Sequence, residues 1–230
     1  MNALAIVFGI IIIVLLYLLY VYVFAAGAGN TLQQGTVYLG TNTVTVPTAN
    51  ITSLSAVSYN VSMWVYVNSW SNVSTPIFVF GDGSKTYFKL VLDGATPTLT
   101  CSVNTDKSSP EPVVVTKNFP IQKWCNVVIN VDNQYVDCYL DGKLTMSQQV
   151  SSPFVPPSAT NKSVNIVMGG SGNKDIYLSK VVRSPTTVNP QTVWTDYVST
   201  SRPGDTVLPS YNIKLSLLNN GSIQNELKLF

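Results

Sequence analysis

The chain has 230 residues, with 13 Lys and Arg against 11 Asp and Glu, a formal net charge of +2 and a pI near 8.3. Charged side chains make up 10% of it, against about 25% in ordinary domains, and no Lys/Arg cluster occurs, so the electrostatic footprint of a nucleic-acid partner is missing. There is no histidine, and the three cysteines lack metal-ligand spacing; the commonest general base and metal ligand are gone, and no cofactor is implied.

Residues 3–26 carry no charge. At 1.5 Å per residue they span about 36 Å as a helix, more than the bilayer's hydrocarbon core of about 30 Å. Leu4, Ile6, Val7, Phe8, Ile10, Ile11, Ile12, Ile13, Val14, Leu15, Leu16, Tyr17, Leu18, Leu19, Tyr20, Val21, Tyr22, Val23 and Phe24 supply the lipid-facing bulk. Tyr17, Tyr20 and Tyr22 gather toward one end, as interfacial aromatics do. A cleaved signal peptide is the competing reading, since Ala25-Ala26-Gly27-Ala28 offers small residues. The apolar run is too long for that, and the basic n-region is missing. Residues 1–26 are therefore expected to be a single transmembrane anchor.

Residues 27–36 read as a flexible spacer. From there the pattern is all-β. Strands are expected over 37–46, 57–67, 76–80, 86–92, 99–103 and 113–115, then over 161–168 and 176–182. Gly, Pro and Asn punctuate them, and only 189–197 turns helical. The central stretch is 124–144. Cys125, Val127, Ile129 and Val131 alternate with polar or small neighbours, as do Val136, Cys138 and Leu140. Asp132-Asn133-Gln134 supplies the turn between them, and Asp141-Gly142 a second one. A hairpin with one apolar face must lie on another sheet. Cys101, Cys125 and Cys138 fall on inward positions and read as buried thiols. Cys125 and Cys138 sit on partner strands, diagonal in the expected register, so a bond between them is the other reading. Residues 203–230 are expected to add a C-terminal hairpin on or beside the sandwich of residues 37–202. The fold class is an all-β, two-sheet antiparallel jelly roll preceded by one transmembrane helix.

Trp124 opening one strand, with Tyr139, Asp141 and Gly142 closing the next, resembles the signature hairpin of concanavalin A-like lectin/glucanase and laminin-G-like domains. Further motifs are similar to that family in order. They are Ser62-Met63-Trp64-Val65, Phe80-Gly81-Asp82-Gly83-Ser84 with Tyr87-Phe88, Ile166-Val167-Met168-Gly169-Gly170, and Asp175-Ile176-Tyr177-Leu178. The resemblance covers about residues 55–198. It implies that Trp64, Trp124, Tyr139, Asp141 and Gly142 are structural. It also implies where chemistry is to be sought.

Glycosidases on this fold use paired carboxylates, and laminarinase-type members carry Glu-x-Asp-x-x-Glu on one strand. This chain has only Glu111 and Glu226, far apart in sequence, so it is not expected to be an enzyme. Many members of the family bind calcium, but Asp82, Asp93, Asp141 and Asp175 are scattered and read as turn formers rather than a cluster of oxygen ligands. Trp70, in the loop Asn68-Ser69-Trp70-Ser71-Asn72, is the tryptophan whose context suggests exposure, and is the candidate contact or glycan platform. The five Asn-x-Ser/Thr sequons are about what this Asn- and Ser/Thr-rich composition yields by chance.

A charge-poor body on an apolar leader, without catalytic or metal chemistry, is expected to work by contact: with the lipid bilayer, and with capsid or membrane-associated proteins. The overall plan resembles minor capsid and virion membrane proteins of large icosahedral DNA viruses, which would place it between inner membrane and capsid. The alternative on the same anchor is a cell-surface lectin or adhesion module binding glycans.

Overall fold

A computed structural model of the chain describes residues 11–17, 30–107, 109–170, 175–200, 202–204, 214–219 and 222–228. Of the apolar leader, residues 11–17 are α-helical with exposed side chains; the expected anchor residues 4–10 and 18–24 lie outside the described residues. Among the described residues no helix is long and apolar enough to cross a membrane.

The strands in chain order are β1 (Asn30–Gln33), β2 (Val37–Tyr38), β3 (Val44–Pro47), β4 (Ser58–Ser69), β5 (Thr75–Gly81), β6 (Thr86–Leu92), β7 (Leu99–Val103) and β8 (Glu111–Thr116). They continue as β9 (Trp124–Asp132), β10 (Tyr135–Leu140), β11 (Lys143–Gln149), β12 (Asn165–Met168), β13 (Asp175–Ser184), β14 (Lys214–Asn219) and β15 (Ser222–Lys228). An α-helix, Pro190–Ser199, follows β13.

Two antiparallel sheets make the sandwich. One has the order β1-β13-β4-β9-β10-β11, with β2 also pairing β13; the other runs β3-β12-β5-β6-β7-β8. The period-2 alternation decides which faces meet. Val61, Met63, Val65 and Val67 of β4 and Cys125, Val127, Ile129 and Val131 of β9 point inward, against Phe88, Leu90 and Leu92 of β6 and Leu99, Cys101 and Val103 of β7. Each buried Val, Leu, Ile or Phe contributes about 1.5–3 kcal/mol relative to exposure, which is what binds the two layers.

The turns follow their residues. Asn133, at φ 55°, closes β9 onto β10 with Tyr135 opposite Asp132. Asp141 and Gly142 both have positive φ, 50° and 77°, between Leu140 and its partner Lys143. Two positive φ values in a two-residue loop match the strand twist, and Asp-Gly tolerates them.

Four expectations change. Residues 30–33, read as spacer, form β1 and pair with β13. The expected strand over 37–46 divides into β2 and β3, because Gly40 and Thr41 turn the chain. The sequence after Asp141-Gly142 runs on as a full edge strand, β11, exposed along most of its length. Cys138 lies opposite Ile129, four residues from Cys125, so the expected diagonal is not formed. All three thiols are free and buried. At the C-terminal end β14 and β15 form a separate two-stranded sheet, with Leu215 opposite Leu227.

Candidate binding face

On β4 and β9 the residues between the core positions point to the other face of the seven-stranded sheet: Asn60, Ser62, Trp64 and Tyr66, beside Trp124, Asn126, Val128 and Asn130. This outer face is where the family-signature residues converge. Trp64 is 2% exposed and stacks on Tyr197 of the helix, ring centroids 5.9 Å apart and planes 24° from parallel. Tyr139 joins Val128 and Val193 in a small apolar cluster under the same helix. Burial raises the Tyr139 hydroxyl above its ordinary pKa.

Asp141 ties the turn to the sheet. One carboxylate oxygen accepts the Asn126 N–H at 2.9 Å and the other accepts Lys123 Nζ at 2.7 Å. That bond raises the Lys123 pKa. Gly142 must be small, because a Cβ there would come within 3.0 Å of Trp194 and Tyr197. The signature thus builds a seat for a helix. Trp124 is the exception: it lies further along the face, half-buried and 5.4 Å from Tyr66.

The helix is positioned from both ends. Asn189 caps it, accepting the Thr192 N–H at 2.8 Å, and Pro190 suits its first turn. The segment leading in is clamped by outward-facing asparagines. Asn130 accepts the Val188 N–H at 3.1 Å and donates to the Val188 carbonyl at 3.2 Å. Asn60 donates to the Thr186 carbonyl at 2.7 Å.

Between helix and sheet lies a cleft of about 400 Å³. Trp64 and Tyr197 wall it, and Ser62, Asn126, Lys180, Ser184, Asp196 and Gln34 bring polar groups to it. Lys180 enters at a bulge, in the left-handed region at φ 49°, where β13 slips register against β4. Burial raises the Asp196 pKa. An aromatic wall with a few convergent polar groups is the general form of a small-molecule site, and the volume falls in the usual range.

Other expected residues lie elsewhere. Trp70 is half-buried, packed beside the core, and its indole N–H donates to the Gly94 carbonyl at 3.2 Å; the tryptophan that projects is Trp194, 41% exposed. Asp82 and Asp93 accept hydrogen bonds from their own turns. Glu111 binds Ser151 and Lys107. Among the described residues no group of three His, Cys, Asp or Glu could hold a metal ion. The cleft joins β1, β4, β9, β13 and the helix, so no single stretch of the chain announces it. Its only local trace is the run of polar residues at the outward positions of β4 and β9.

A family model described as the concanavalin A-like lectin/glucanases superfamily matches residues 39–179, and the chain belongs to that superfamily. No curated protein matches it. Among solved structures, the botulinum neurotoxin serotype G binding domain is similar at TM-score 0.57 and 11% identity, over 73% of this chain and 45% of that one. The serotype D ligand-binding domain in complex with N-acetylneuraminic acid aligns at TM-score 0.56 and 14% identity, over 71% and 42%. The serotype DC binding domain in complex with rat synaptotagmin II aligns at 0.52 and 14%, over 68% and 40%. At these identities the likeness is one of fold, and the chain spans under half the length of each domain.

Proposed function

We propose that this member of the superfamily is a non-catalytic, lectin-like binding module, held at a bilayer by its apolar leader, and that its ligand is a glycan seated on the outer face of the seven-stranded sheet. The observation that carries the reading is the cleft under the helix, walled by Trp64 and Tyr197 and lined by the polar side chains of Asn126 and Ser62. Sugars are held by that combination of an apolar ring face and hydrogen bonds to hydroxyls. Hydrolysis needs two carboxylates about 5–9.5 Å apart across the scissile bond. Among the described residues lining the cleft, Asp196 is the one acid. The neurotoxin binding domains that share the fold are described with a sialic acid and with a protein receptor, so both ligand classes occur on related frameworks.

The test is a glycan array probed with the full chain in detergent. Binding to a defined glycan, lost in Asn126→Ala, supports the reading; an array without signal rejects it. Reducing-sugar release from a bound glycan would reject the non-catalytic part.

A second reading is favoured by one feature of the sequence: no Asp, Glu, Lys or Arg precedes Asp82. A domain packed among permanent neighbours tolerates a charge-poor surface better than a freely diffusing one. On that reading the chain is a minor capsid protein, tethering a viral shell to its inner membrane, and its partners are lipid and capsid proteins. Co-purification with intact particles, with release only on detergent extraction, supports it; recovery outside particles rejects it.

A further inference from the structure

β1 enters the seven-stranded sheet from a defined end. It pairs antiparallel with β13, and β13 antiparallel with β4, so β1 runs parallel to β4. Asn30 lies opposite Arg183, and Arg183 opposite Val61, three residues inside the Ser58 end of β4. That is the end of the Asp132-Asn133-Gln134 turn, since Ser58 and Tyr135 both lie opposite Asp132. The two sheets bring their turns together there. The Phe154 N–H donates to the Asn133 carbonyl at 2.8 Å, and the Val155 N–H to the Asn104 carbonyl at 3.0 Å. Two exposed apolar side chains stand at the same end: Val57, next to Ser58 and 51% exposed, and Tyr135, 53% exposed. The charge between them is Asp132, whose Oδ1 accepts the Ser58 hydroxyl at 2.8 Å. Val73, 43% exposed, lies between β4 and β5 at the opposite end.

We propose that this end of the sandwich rests on the headgroups of the bilayer, with Val57 and Tyr135 at the boundary; the inference rests on the membrane-held reading above. The length of the tether carries it. Asn30 follows Phe24, the last bulky apolar residue of the leader, by six positions, a reach of at most about 21 Å. Asn30 itself sits three residues, or about 10 Å, inside the end of the sheet. With Phe24 at the edge of the hydrocarbon, the end of the sandwich is then held within about 11 Å of that edge, and the headgroup layer alone fills about 5–7 Å of the gap. An apolar side chain and a ring with a polar tip are what such a boundary accepts. Asp132 gives anionic lipid no foothold, so the seat suits a zwitterionic surface. The strands then stand upright on the membrane, and the far end of β4 is about 36 Å away from it. The cleft beside the helix opens sideways, along the membrane plane.

The experiment places a dye at each end of the full chain reconstituted into phosphatidylcholine vesicles. The three native thiols are buried, so a single added cysteine can be labelled with an environment-sensitive nitrobenzoxadiazole. Val57→Cys and Tyr135→Cys report the near end and Val73→Cys the far one; all three positions are exposed, and urea unfolding confirms that each variant folds as the parent does. Emission at Val57 and Tyr135 should shift to the blue and be quenched by lipid spin-labelled at the headgroup. Emission at Val73 should stay at its value in water and escape the quencher. Replacing a third of the lipid by phosphatidylserine should leave the pattern unchanged. A chain that fails to float with the vesicles overturns the membrane-held reading and this inference with it. A chain that floats while all three dyes report water keeps the tether and overturns the seat. Quenching at Val73 alone reverses the orientation and overturns it as well, and quenching that appears only with phosphatidylserine overturns the zwitterionic surface.

Discussion

Trp64 and Tyr197 stack at 5.9 Å with planes 24° apart, and this pair fastens the helix Pro190–Ser199 to the sheet. Without it the helix has Val193 as its one buried residue, too little to hold ten residues in place. Trp64→Ala removes a fully buried indole from an outward strand position and is expected to cost about 3–5 kcal/mol. Tyr197→Ala should cost less globally but free the helix. Urea titration gives the first quantity; amide exchange, accelerated in the helix and unchanged in β9, shows the second.

Gly142→Ala should destabilise by about 1–3 kcal/mol, because φ 77° is strained for any side chain and the added methyl meets Trp194 and Tyr197 at 3.0 Å. Strain at the turn and displacement of the helix are separable. Paired with Tyr197→Ala, which makes room, the Gly142→Ala cost should shrink toward the backbone part alone. An unchanged cost in the double variant would remove the helix from the account.

Asp82 sets part of the acid limit. Its carboxylate accepts the Lys85 N–H, the Ser84 N–H and hydroxyl, the Tyr87 hydroxyl and the Asn161 amide. Those bonds, that from Lys85 foremost, hold its pKa well below the carboxylate range. A pKa depressed by folding stabilises above the unfolded value of about 4 and is lost as pH falls through the folded one. Asp82→Asn should therefore be less stable than the parent at neutral pH, and the gap should narrow at pH 3. Asp93 and Glu111 are also lowered by hydrogen bonds, so some acid slope will remain. A gap that does not narrow with acid refutes the assignment.

The two-layer body was legible because its signals are local. Alternation at Val61, Met63, Val65 and Val67, or at Cys125 through Val131, announces a half-buried strand without knowledge of its partner. Asn133 and Asp141-Gly142 announce their turns. What depends on partners was hidden. β1 is four residues of polar and apolar side chains whose only reason to be a strand is the edge of β13. Trp70 has the loop context of an exposed residue, yet folding brings Gly94 to its indole. Trp64 and Trp124 are both outward tryptophans on neighbouring strands. Only the helix, arriving from far along the chain, buries the first and leaves the second half open.

Arg183 is a cation inside the sandwich, 1% exposed. Nη1 donates to the Thr52 carbonyl at 2.7 Å, and the guanidinium lies 5.1 Å from the Tyr59 ring centroid and 5.4 Å from that of Phe80. Burial lowers its pKa. A planar, weakly hydrated guanidinium tolerates this setting better than an ammonium. Arg183→Lys is therefore expected to be more destabilising than Arg183→Met, which keeps the volume without the charge. Arg183→Ala, leaving a cavity and unbonded carbonyls, should lose about 3–5 kcal/mol. Urea midpoints order the three; Lys equal to the parent would show that the site reads charge alone.

The thiols give a direct probe of the core. Cys101 of the six-stranded sheet and Cys138 of the seven-stranded sheet meet across the interior, and that contact together with burial raises the Cys101 pKa. Burial pushes Cys125 up to about 12. Only thiolate reacts at useful rates, so the folded protein at pH 8 should resist iodoacetamide at all three positions. In urea all three should label together, since they belong to one core and open with it. Mass spectrometry of the labelled chain reads the count. Rapid labelling of Cys125 alone under native conditions would mean that the start of β9 opens independently, and that the Lys123–Asp141 contact beside it does not hold the strand closed.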